Sequence, residues 1–233
     1  MRGTVLIAGA LAPALLAAAP VSAQQLIWGV QAEQLEYRAG EGPDILAWDA
    51  DAIVGTDELK LRLRSEGEYA LEENTVETLE NQVRIETPVS DFFDLAAGVR
   101  ASTPAGPDRY HGVIGLHGLA PQWFEIDADL FVSDEPFFRV DAEYEALITN
   151  RVVLVPSVEV DLPLTDDPEI GAGAWGPKLE VGARISYDLV DRAVSPYVGV
   201  HYERAFGESA LLASREGEDP GTVLFVVGTR ILF

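Results

Sequence analysis

The chain has 233 residues, no cysteine, 48% hydrophobic and 24% charged residues, and a formal net charge of −23. That length suits one sizeable domain. Without cysteine there are no disulfides, thiolate metal sites or cysteine nucleophiles, and the acidic balance argues against nucleic acid as a partner.

In chain order, residues 1–23 (MRGTVLIAGALAPALLAAAPVSA) open on Arg2, run apolar and end on the small residues Val21, Ser22 and Ala23. This is the pattern of a secretory signal peptide, with Pro13 and Pro20 breaking it as a membrane helix. Residues 24–233 are expected to form a single domain. No later segment approaches the roughly 20 apolar residues a membrane helix needs, so any crossing must be made by strands.

Twelve alternating segments are predicted, near 26–38, 45–54, 57–68, 75–87, 92–102, 109–119, 122–132, 137–147, 150–163, 177–189, 195–206 and 222–233. The clearest is WFEIDADLFV, with Phe124, Ile126, Ala128, Leu130 and Val132 on one face and Glu125, Asp127 and Asp129 on the other. The next segment repeats this, with Phe138, Val140, Ala142 and Tyr144 against Arg139, Asp141, Glu143 and Glu145. Lys60, Arg62, Arg64, Arg84 and Arg100 share the charged face farther upstream. The last segment runs to the terminal Phe233 with Val223, Phe225, Val227 and Ile231 in the same parity, as the closing strand of an outer-membrane barrel reads.

Connectors after even-numbered segments are short (GTD, PVSD, AP, TN, VDRAV). Several after odd-numbered ones are longer and rich in Gly, Pro and acid (AGEGPD, TPAGPD, TDDPEIGAGAWG, GESALLASREGEDPG). The predicted fold is therefore all-β: a closed antiparallel transmembrane β-barrel of about 12 strands, with both termini on the periplasmic side of a Gram-negative outer membrane. No helical periodicity is read outside the signal. The acidic stretches at 166–169 and 216–220 read as solvated outer loops.

Five stretches carry a family resemblance: AWDADAIVGTDELKLRLRSEGE (47–68), FFDLAAGVR (92–100), GLAPQWFEIDADLFVSD (118–134), DDPEIGAG (166–173) and SPYVGVHYERAFG (195–207). Together they resemble the copper resistance protein B family, and GLAPQWFE is the most specific because barrel physics does not demand it. The resemblance covers Trp28 to Phe233. It implies an outer-membrane barrel for copper tolerance that sequesters copper or moves it across the envelope, with outer-membrane lipid and a periplasmic copper protein such as a multicopper oxidase as partners. Family members often carry a Met- and His-rich segment between signal and barrel, whereas here the barrel pattern begins at Trp28.

Met1 is the only methionine, so the mature chain is expected to lack sulfur. Copper(I) favours thioether and thiolate donors, while copper(II) accepts imidazole and carboxylate. Any direct site should thus be of the copper(II) type, with lumen candidates His111, His117, His201, Glu125, Asp127, Asp129, Asp141 and Glu143. His111 and His117 share a parity, but six residues at about 3.3 Å each separate them by roughly 20 Å, too far to share an ion. The acids of strands seven and eight should form a wall of like charge, and Glu125, Asp127 and Asp129 are expected to tolerate substitution. A salt-bridged, partly filled interior is the structural alternative.

The chain has no Gly-rich phosphate loop, HExxH, GxSxG or CxxC motif, and all three histidines point inward, so no enzymatic activity is expected. Two functions remain: a copper-tolerance barrel that binds or passes copper, and a passive cation-preferring porin or structural barrel without metal specificity.

Overall fold

The structure, a computed structural model, describes residues 25–40, 42–103, 107–190, 192–217 and 219–233. The signal predicted over 1–23 lies outside the described residues. Twelve strands follow one another: β1 (Ile27–Gly40), β2 (Ile45–Gly55), β3 (Lys60–Ala70), β4 (Thr75–Pro88), β5 (Phe93–Thr103), β6 (Arg109–Ala120), β7 (Phe124–Val132), β8 in two pieces (Phe137–Tyr144 and Ala146–Leu147), β9 (Val152–Pro163), β10 (Lys178–Tyr187), β11 (Val194–Ala205) and β12 (Gly221–Leu232). Each pairs antiparallel with the next and β12 pairs with β1, so the sheet closes and has no free edge. Every predicted segment is a strand.

Closure is completed by the last residue. Phe233 N donates to Val30 O at 2.9 Å, and Val30 N donates to Phe233 O at 3.0 Å. The apolar parity of the terminal segment faces out, with Phe225 68% and Phe233 71% exposed. Across the barrel the same inversion holds. Ile85, Val99, Ile114, Leu130, Ile185 and Val198 are exposed outside, whereas Glu36, Arg84, Glu86, Arg100, Asp129 and Arg184 are buried inside. Such a distribution is stable when lipid covers the outer face.

The two ends differ. At the terminal end, where both described termini lie, the links are 56–59, 89–92, 121–123, 148–151 and 188–193. At the loop end, 164–177 and 206–220 are long, and the others have four or five residues. AGEGPD contributes less loop than its composition predicts, because Ala39 and Gly40 remain paired with Phe225 and Leu224.

The prediction of no helix after the signal is corrected: Gly207–Glu216 form a ten-residue helix, α1, ended by Gly217 at φ 86. Leu211 and Leu212 are adjacent rather than spaced three or four apart, so the segment shows no amphipathic stripe. A tertiary contact holds it instead: Ser209 Oγ accepts from Gly173 N at 2.9 Å and donates to Gly176 O at 2.6 Å, tying α1 to the 164–177 loop.

That loop is in turn fastened to the barrel. Arg109 at the start of β6 donates to Asp167 at 2.7 and 2.8 Å and to Glu169 at 3.0 Å. Reading 166–169 as a solvated outer loop is therefore corrected at Asp167, which is buried at the mouth of the barrel. A bare run of acids does not disclose a partner 58 positions away.

Candidate functional site

The lumen holds a cavity of about 460 Å³. Sixteen carboxylates, nine Arg or Lys side chains and all three histidines line it. Strand alternation places them there, since each strand turns its charged parity inward. Asp167, Ile170 and Ser209 from the two long loops line it at the loop end.

Charge is unevenly distributed around this wall. On β3 to β5, Arg62, Arg64, Arg84 and Arg100 are interleaved with Glu66, Glu68, Glu80 and Glu86 of the same strands, so this side is mixed in charge. Arg64 and Arg84 reach across the lumen to Asp127 at 3.0 Å and Asp129 at 2.5 Å, Arg139 reaches back to Glu66 at 3.3 Å and Glu80 at 3.6 Å, and Arg62 and Arg100 pair with Glu86 and Glu80 of adjacent strands. Nearer the seam, buried Glu36 receives Arg38 at 2.7 Å, Arg184 at 2.8 and 2.9 Å and Tyr197 at 2.9 Å. The lumen is thus partly filled by ion-paired side chains drawn from strands that are distant in sequence.

On β6 to β11 the register aligns carboxylates directly across from one another. His117 faces Asp127, Asp127 faces Asp141, Asp141 faces Glu159, Glu159 faces Glu180, and Glu180 faces Glu203. A row nearer the loop end alternates in sign, with Asp129 facing Arg139, Arg139 facing Asp161 and Asp161 facing Lys178. The second row follows the usual preference for opposite charges across strands and the first runs against it.

Each predicted site residue lies on the lumen side. His111 is held between Arg100 Nη1 at 3.1 Å and the Glu135 carbonyl at 3.2 Å, edge-on to Phe131 and Phe137. Those two rings stack at 4.3 Å, with the Arg100 guanidinium 5.2 and 5.0 Å from their centroids. Its surroundings are those of a hydrogen-bonded interior group. His117 pairs with Asp127 through Nδ1, and its Nε2 stands 3.8 Å from Glu125. His201, 4% exposed, brings Nε2 within 3.3 Å of Glu180 Oε2, yet that nitrogen has no hydrogen-bond partner.

Glu125 lies directly across from Glu143, which Arg230 reaches at 2.8 Å. Asp141 has neither a hydrogen bond nor an ion pair among the described residues and lies between Asp127 and Glu159. The expected tolerance of Asp129 is corrected: it is buried and held by Arg84, so its charge is part of the interior packing.

The candidates do not converge. Among the described residues no group of three or more His, Cys, Asp or Glu is arranged to hold a metal ion. Sequence reasoning also passed over Glu159, Glu180, Glu203 and Lys178 as site residues. Alternation in SVEVDLP, KLEVGARISY and VGVHYER signals their inward parity, but their alignment with Asp127 and Asp141 depends on register.

Comparison with known proteins agrees with this architecture. A model of the copper resistance protein B precursor family matches residues 26–233. Copper resistance protein B of Escherichia coli is 34% identical over 203 residues, covering 86% of this chain and 68% of that protein. A copper resistance protein B homolog of Pseudomonas syringae pv. tomato is 32% identical over 204 residues, covering 87% and 68%. Among solved structures, the NanC porin superposes with a TM-score of 0.55 at 13% identity, covering 88% of this chain and 99% of that one, a likeness of fold alone. The match over 26–233 and the closed lipid-facing barrel identify the chain as an outer-membrane member of the copper resistance protein B family.

Proposed function

We propose that this barrel contributes to copper resistance by binding copper(II) weakly in its lumen and letting it pass, with no catalytic step. The observation that carries this reading is the cavity lining, where carboxylates exceed Arg and Lys by sixteen to nine and three imidazoles add nitrogen donors. Neither Cys nor Met occurs among the described residues, so the donors favour copper(II) over copper(I). Weak, dispersed donors suit passage, because conduction needs sites that release the ion as readily as they take it. On this reading a periplasmic copper protein receives or supplies the metal at the terminal end.

A second reading is a passive, cation-preferring barrel. The cross-braced lumen and the lack of a three-ligand group among the described residues favour it. Growth of a deletion strain on graded copper, with zinc and neutral solutes for comparison, separates the two, together with ion flux into vesicles carrying the purified barrel. Copper-selective sensitivity and copper(II) flux are expected. Equal behaviour toward all divalent cations would support the passive barrel.

A further inference from the structure

The carboxylates aligned across β6 to β11 form a rising path along the lumen. His117 lies three residues before the terminal end of β6, whereas Glu180 is third from the loop end of β10 and Glu203 third from that of β11. Strands in a closed barrel tilt by about 35–45°, so a row of directly opposed residues climbs as it circles the wall. With strands about 4.8 Å apart, the five steps from His117 to Glu203 span about 24 Å. In the alternating row beside it opposite charges face each other directly, whereas the acidic row takes its counter-charges from outside the row, from Arg64 on Asp127, Arg139 on Glu159 and Lys178 on Glu180 and Glu203, and leaves Asp141 with none among the described residues.

At the loop end of this row an ammonium already occupies the place of a cation. Lys178 Nζ sits 3.0 Å from Glu180 and 2.9 Å from Glu203, and its side chain is 47% exposed. Beside it His201 Nε2 is buried, lacks a hydrogen-bond partner and lies 3.3 Å from Glu180 Oε2. Copper(II) prefers a tetragonal arrangement in which two neighbouring donors at about 2.0 Å stand about 2.8 Å apart, so these two atoms need to close by only about half an ångström to share one ion. Glu180 Oε2 stands near this nitrogen without hydrogen-bond geometry, and a buried imidazole nitrogen left without a hydrogen bond is costly, a cost that a metal ion shared by the two groups would relieve.

We propose that His201 and Glu180 form a copper(II) loading site at the loop end of the acidic row, with Lys178 as the tethered cation that the arriving metal displaces. The proposal rests on the passage reading above and adds where the ion is taken up. Two protein ligands, completed by water, hold the ion loosely enough for it to move on to Glu159, Asp141 and Asp127. Lys178 closes the site when copper leaves.

The test uses the full-length barrel folded in detergent, with copper(II) alone as the probe, and reads the nitrogen coupling in its paramagnetic resonance spectrum alongside a binding titration. Heat-dependent gel mobility checks that every variant is folded. Wild type and His111→Ala are expected to show one coupled nitrogen. His201→Ala should lose it and bind more than about tenfold more weakly, since even outer-shell partners of a ligand command about 10- to 100-fold. Lys178→Met should bind about fivefold or more tightly, the effect of one unit charge at about 4 Å in watery surroundings.

Coupling that survives in His201→Ala and vanishes in His117→Ala, absence of copper(II) binding by the folded wild type, or weaker binding by Lys178→Met would each overturn the proposal. Vesicle flux separates its failure from that of the passage reading. An intact His201 signal without flux defeats passage and leaves the site, whereas flux with His201→Ala binding like wild type defeats the site and leaves passage.

Discussion

Replacing Arg84 by Met tests whether the lumen is braced by desolvated ion pairs or merely lined with solvated charge. Arg84 on β4 donates to Asp129 on β7 at 3.1 and 2.5 Å, and the two side chains are 2% and 3% exposed. These are the only hydrogen bonds to the Asp129 carboxylate among the described residues. Its seat is cut by Gly115 on β6, where an added Cβ would overlap the carboxylate. Losing the guanidinium leaves a buried, unpaired carboxylate, so Arg84→Met should destabilise the barrel by about 3–5 kcal/mol.

Asp129→Leu alone strands Arg84 in the same way, although Gln82 still accepts from Arg84 at 2.5 and 2.8 Å and should soften the loss. The double variant removes both charges and should recover most of the stability, because well-packed apolar groups of similar volume replace buried ion pairs at little cost. Urea unfolding of the barrel in detergent, followed by tryptophan fluorescence and gel mobility, gives the three differences. Single variants within about 1 kcal/mol of wild type, or a double variant as costly as the two singles together, would refute the desolvated brace.

Arg at Ile126 or Leu130, on the lipid side of β7, should cost about 2–4 kcal/mol at the bilayer midplane, while Glu125→Gln on the lumen side should cost little; equal costs on both faces would contradict the assignment of the faces. Deleting Phe233 removes both its paired backbone bonds to Val30 and the aromatic end of β12, so less folded barrel should reach the outer membrane, as fractionation and gel mobility would report. Copper(I) should bind hardly at all, and copper(II) binding should weaken on acidification as protons compete for imidazole and carboxylate; tight copper(I) binding in a titration would contradict the donor chemistry. Arg109→Ala releases the bonds to Asp167 and Glu169 at the mouth and should raise ion flux through vesicle-embedded barrel, whereas unchanged flux would show that this loop does not limit passage.

Strand existence and facing were legible in the sequence because they rest on local alternation. Leu130 turns out and Asp129 in for the same reason that neighbouring side chains of any strand leave opposite faces. The lipid-facing parity of β12 and the inward parity of all three histidines and of Arg62, Arg64, Arg84 and Arg100 were fixed at that level. So was the resemblance carried by the stretch around Trp123, whose turn holds Gln122 at φ 71 and Trp123 at φ 68.

Tertiary structure decided everything that joins one strand to a distant one. Which of the inward acids is neutralised, and by which arginine, depends on reach across the lumen, as Arg84 to Asp129 and Arg184 to Glu36 show. Helix α1 depends on Ser209 meeting Gly173 and Gly176, contacts that its own residues do not announce. The ascending row from His117 to Glu203 exists only because five successive registers align. A shift of one residue in any of them would turn that strand's carboxylate toward lipid, and a shift of two would replace the like-charge row by another pairing. Side-chain alternation is a property of each strand alone, whereas register is set by closure of the whole sheet.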